Sequence, residues 1–71
     1  MGQTNWHHQE DCIIVAETEK AFLICIEDEE LWIPKSQIHK DCLEGDSALK
    51  VGDIDATVTM TEWIAEQKGI I

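Results

Sequence analysis

Two His/Cys pairs stand at spacings that could hold a transition metal: His8 and Cys12, spaced by three residues, and His39 and Cys42, spaced by two. Imidazole nitrogen and thiolate sulfur are ordinary zinc ligands, and a structural site takes four of them in a tetrahedron. The spacing is looser than the Cys-x-x-Cys and paired-histidine patterns of such sites. Cys12 also opens a β-branched run, where a thiol packs as a small apolar group. No metal and no cofactor is therefore expected.

A nucleophilic cysteine needs a base beside it and a third group to orient that base. Cys25 falls within the apolar run Ala21–Glu27 and is expected in the core. Cys42 lies near His39 in a polar segment, but no glycine-rich turn or set of oxyanion donors accompanies the pair. The reading is a protein that is not an enzyme. The acidic tetrad Glu27-Asp28-Glu29-Glu30 lacks the alternating ligands, central glycine and terminal glutamate of a calcium loop, so it marks a solvated turn. Its functional reading is part of a surface imitating nucleic-acid phosphates, joined by Glu17, Glu19, Asp41, Glu44 and Asp46 if these share a face.

Trp32 is the candidate exposed anchor, because strand alternation sets it opposite to Leu31 and Ile33. Lys35-Ser36-Gln37 follows, and a lysine beside a tryptophan is the minimal set for stacking on a base next to a phosphate. Ser36 and Gln37 can equally satisfy backbone groups where Pro34 interrupts a ladder. The candidate partner-binding residues are thus Glu27, Asp28, Glu29, Glu30, Trp32 and Lys35.

The elements that must position these residues are few. In 71 residues only one domain fits, burying roughly 60% of its unfolded surface. Residues 1–10 show no periodicity and read as a mobile leader, leaving 11–71 as a single small β-barrel-like domain. Cys12–Val15 is a short β-branched strand, Glu17–Lys20 its hairpin loop, and Ala21–Glu27 a second strand, apolar on both faces. Leu31–Ile33 makes a third, ended or bent at a sheet edge by Pro34, which has no amide hydrogen. Ile38 turns back to the core.

His39–Thr57 reads as a long loop with a short strand near Ala48–Val51, and Ala56–Met60 as a further strand. Thr59 and Glu62 have capping-box spacing, so a helix is expected from about Met60 or Thr61, with Met60, Trp63 and Ile64 on its core face and Gly69 ending it. The sum is a mainly β fold: a small, strongly bent antiparallel sheet of the SH3-like barrel type with one short C-terminal helix. A flat three-stranded sheet under the helix is the alternative.

Fifteen acidic residues against five lysines give a net charge of −10, with 44% of residues hydrophobic. That charge repels a phosphate backbone, which disfavours direct nucleic-acid binding and favours a protein partner with a basic surface. Three cysteines without Cys-x-x-Cys spacing argue against a secreted disulfide framework. With no apolar run near the roughly 20 residues that cross a bilayer and no signal-like segment, the expected compartment is the cytoplasm.

Three segments stand in order along the chain: Glu17-Thr18-Glu19-Lys20-Ala21, Leu31-Trp32-Ile33-Pro34-Lys35-Ser36-Gln37-Ile38, and Glu62-Trp63-Ile64-Ala65-Glu66-Gln67-Lys68-Gly69-Ile70. Together they resemble a family of small proteins of bacteriophages and prophage regions. The leader and the loop Asp41–Asp55 fall outside the pattern. The resemblance implies a phage accessory protein, in the manner of small acidic products that inhibit host defence or host nucleic-acid enzymes. The expected function is a noncatalytic acidic binding protein, a nucleic-acid mimic acting on a host or defence protein. The alternative is a single-stranded nucleic-acid-binding accessory of phage replication or recombination. An edge strand broken at Pro34 beside an exposed Trp32 also allows a homodimer.

Overall fold

The computed structural model describes residues 4–71. Four strands form one antiparallel sheet in the order β3-β2-β1-β4: β1 Trp6–Glu17, β2 Ala21–Ile26, β3 Glu29–Pro34 and β4 Ala56–Thr61. Two 3₁₀ turns, Lys35–Gln37 and Lys40–Cys42, follow β3, and the helix α1 Glu62–Gln67 follows β4. The order of elements is the one expected, and the sheet is mainly β with a short terminal helix. It is not closed: no ladder joins β3 to β4 among the described residues.

β1 is three times as long as the expected Cys12–Val15 because it serves two neighbours in turn. Its first part, Trp6–Cys12, pairs with β4, and Ile13–Glu17 pairs with β2. The segment read from sequence as a mobile leader is therefore strand over Trp6–Glu10, while Met1–Gln3 lie outside the described residues. Trp6, His8 and Glu10 alternate outward against the half-buried His7 and Gln9, a polar alternation whose support comes from β4 rather than from its own hydrophobicity. Two bulges bend β1, one between Gln9 and Cys12 and one between Ile14 and Ala16, and Asp11 takes the first with φ 59°. An extra residue on one side of a ladder increases local twist and bends the strand.

The bend wraps one face around a core of Cys12, Ile14, Phe22, Ile24, Ile26, Ile33, Ile38, Leu49, Val58, Met60, Ile64 and Ala65. Each isoleucine fully removed from water contributes about 1.5–3 kcal/mol relative to exposure. After Pro34 the 3₁₀ turn carries the chain to the outer edge of β4. There Ile38 bridges Met60 and the His39 amide donates to the Thr59 carbonyl at 2.9 Å. No strand forms at Ala48–Val51. Leu49 is buried, and its neighbours turn so that the Gly52 amide donates to the Ile14 carbonyl while the Ile14 amide donates to Asp53. The loop thereby takes the place beside β1 that β4 has not yet reached.

The helix corrects two expectations. Its N-cap is Thr61, whose hydroxyl accepts from the Ile64 amide at 3.2 Å, not Thr59, which is still in β4. Because the helix starts after Met60, its buried residues are Ile64 and Ala65, and Trp63 points to solvent at 58% exposure. Its C-terminus is as expected: Gly69 has φ 74°, its amide donates to Glu66, and the Ile70 amide donates to Ala65. This is the Schellman arrangement.

Candidate functional site

The proposed zinc ligands are not brought together. Cys12 is buried, its thiol donates to the Gln9 carbonyl at 3.3 Å, and burial pushes its pKa up to about 11, against the thiolate a metal requires. His8 Nδ1 is 2.9 Å from the Thr59 hydroxyl, and His39 Nδ1 accepts from the Asp41 amide. Cys42 Sγ accepts the Thr59 amide at the edge of β4. Cys42 thus caps the edge of β4, whereas the His39 imidazole caps the 3₁₀ turn Lys40–Cys42. Among the described residues no cluster of three or more His, Cys, Asp and Glu has metal-holding geometry.

The hairpin β2–β3 explains where the acidic tetrad goes. Ile26 pairs with Glu29, so the connecting turn is only Glu27-Asp28, and Glu29 and Glu30 already belong to β3. Both turn residues have positive φ, 51° and 68°, the geometry of a type I′ turn that matches the twist of its strands. Strand alternation then divides the tetrad. Glu29 sits on the side of Ile26, whereas Glu30 lies on the opposite, outer face with Cys25.

That outer face is apolar. Register sets Ile13, Cys25 and Glu30 in one row and Ala16, Leu23 and Trp32 in the next. Ile13 and Trp32 are 43% and 44% exposed; Leu23, Cys25 and Ala16 are half-buried. Cys25 is therefore not a core residue, since β2 gives the core Phe22, Ile24 and Ile26 instead. The apolar character of β2 on both faces was the sequence signal for this patch. It reads equally well as a strand buried on both sides.

Acids border the patch at one end. An open groove of about 350 Å³ is lined by Gln9, Glu10, Asp11, Ile13, Cys25, Glu27 and Asp28. Glu10 and Asp11 arrive there through the bulge of β1, which spacing alone did not reveal. Lys35 is elsewhere engaged: its Nζ lies 2.6 Å from Glu17 and 4.9 Å from the centre of the Phe22 ring. It is the one lysine paired with a carboxylate among the described residues. Glu19 stands in the β1–β2 turn. Asp41 is in the 3₁₀ turn beside β4, and Glu44 and Asp46 lie in the loop closed by the Leu49 amide on the Cys42 carbonyl. These do not join the tetrad on one strand face.

A second cleft, lined by Thr4, Asn5, Gln37, Thr61, Glu62, Trp63 and Glu66, is somewhat larger at about 400 Å³. Its Gln37 and Thr61 side chains bond each other at 2.7 Å, so its polar groups are already partly satisfied. It offers Trp63 as a contact but fewer carboxylates than the β1–β3 face. No protein-family model, curated protein or solved structure matches the chain. No helix among the described residues is long and apolar enough to cross a membrane.

Proposed function

We propose that this chain is a noncatalytic acidic binding module, a phage-type accessory protein that attaches to a basic surface of a host or phage protein where nucleic acid otherwise binds. The observation that carries this reading is the apolar outer face of β1–β3, with Trp32 and Ile13 exposed and Glu10, Asp11, Glu27, Asp28 and Glu30 beside it. An apolar centre with a charged rim suits protein recognition: the centre supplies affinity, and the rim steers encounter and selects charge. The passage from β3 through the 3₁₀ turn to the Ile38–Met60 bridge supports reading the bent sheet as an incomplete SH3-like barrel.

The alternative, stacking of a nucleic-acid base on Trp32 with Lys35 on its phosphate, has the exposed tryptophan in its favour. Against it stands the ion pair that commits Lys35 to Glu17. The test is capture from bacterial lysate by immobilised protein at about 0.05 M and about 0.5 M salt, with duplex DNA as competitor. A basic partner retained at low salt, released at high salt and displaced by DNA is expected. Capture of nothing salt-sensitive, together with quenching of tryptophan fluorescence by a single-stranded oligonucleotide, overturns the proposal in favour of the alternative.

A further inference from the structure

The first strand of the sheet order, β3, has an unused edge. In an antiparallel ladder, residues alternate between those whose amide and carbonyl both face the partner strand and those whose groups face away. The Lys35 amide donates to the Lys20 carbonyl, so Ile33, Leu31 and Glu29 face β2, and Glu30, Trp32 and Pro34 face away. The amides and carbonyls of Glu30 and Trp32 make no hydrogen bond among the described residues. The other end of the sheet differs, because Ile38, His39 and Cys42 cover the edge of β4.

Such an edge takes an added strand whose main chain supplies the hydrogen bonds and whose alternate side chains supply selectivity. We propose that the free edge of β3 receives an extended basic segment of the partner protein as a fifth strand, with Trp32 as its apolar anchor. This rests on the reading of the chain as an acidic module and names the part of it that binds. The side chains along the edge define the segment. An antiparallel strand places apolar residues opposite Trp32 and Leu31 and basic residues opposite Glu30 and Glu29, so the pattern is two apolar residues followed by two basic ones. The same acids disfavour a second copy on this edge, since each copy carries a net charge of −10.

The test titrates capped peptide Thr-Thr-Val-Ile-Lys-Lys into ¹⁵N-labelled protein at low salt. It is repeated with a peptide N-methylated at Val and the first Lys, the two amides that would face Trp32 and Glu30. Amide shifts centred on Glu29–Pro34 are expected, with an affinity lowered about tenfold or more by N-methylation, as befits lost main-chain bonds. Trp32→Ala should weaken binding to a similar degree while leaving the spectrum of the core unchanged. Equal affinity of the two peptides, or shifts lying elsewhere, overturns strand addition but leaves the acidic-module reading to its own lysate test. Absence of binding by either peptide also overturns it. Shifts of the same amides with protein concentration alone, with a dimer by light scattering, assign the edge to a second copy and overturn the basic partner.

Discussion

Cys12 is the residue whose chemistry the fold changes most. Its thiol is buried and its pKa lies about 11, with desolvation the main cause, hence the folded state holds its proton more tightly than the unfolded chain does. Between the ordinary thiol range and about pH 11 the unfolded state binds fewer protons, so stability falls as pH rises through that window. Urea midpoints at neutral pH and near pH 10.5 should show an alkaline loss that Cys12→Ala reduces, whatever its own cost at neutral pH. An equal alkaline loss in the variant counts against this account. A second local prediction concerns Glu27 and Asp28, which hold left-handed conformations that side-chain sterics disfavour by roughly 1–2 kcal/mol per residue. Glu27→Asn with Asp28→Gly supplies the residues a type I′ turn prefers, and should raise stability by about 1 kcal/mol or more in urea unfolding. The sequence disclosed an acidic turn here but not its length, because Glu29 and Glu30 are strand residues only by virtue of pairing with Ile26 and Cys25.

At the scale of elements, what was legible was what each segment declares by its own pattern. Phe22, Ile24 and Ile26 marked β2, Pro34 marked the end of β3, and Gly69 marked the end of the helix. What was not legible depended on partners distant in sequence. Trp6–Gln9 looks unstructured alone and becomes strand because Val58–Thr61 pairs with it. Trp63 looks like a core residue at helical spacing from Met60, but the spacing has no meaning when Met60 is in β4 and the helix begins at Glu62. The candidate surface was half visible for the same reason: Trp32 and Glu30 declare themselves, whereas Glu10 and Asp11 reach the groove only through a bulge. The helix itself supplies a prediction. Thr61 both caps α1 and donates its hydroxyl proton to Gln37 at 2.7 Å, tying the helix start to the turn after β3. Thr61→Ala should cost about 1–2 kcal/mol, and Thr61→Ser should recover most of it, measured by thermal or urea unfolding. A loss from Ala that Ser does not restore would place the effect in the threonine methyl group and its packing in β4.

For the whole molecule, the governing fact is that fifteen carboxylates surround a small body with a single lysine pair among the described residues. All of the described acids are at least partly exposed, so they interact chiefly through solvent. The molecule measures 37 × 27 × 20 Å. At about 0.01 M salt the screening length is about 30 Å, comparable to those dimensions, so each carboxylate feels the rest; at about 0.15 M it is about 8 Å, and only near neighbours interact. Self-repulsion favours the expanded chain, so added salt should stabilise the fold, raising the urea midpoint between these two conditions. Binding to a basic partner must respond in the opposite sense, because the attraction that steers it is screened by the same ions. The pair of slopes therefore separates two roles for the charge. A fold stabilised by salt whose complex is weakened by it identifies the acids as a recognition surface. If salt raises the urea midpoint while leaving affinity for the captured partner unchanged, the carboxylates serve only to keep the molecule apart from its own copies, and recognition must then rest on the apolar row of Ile13, Leu23 and Trp32.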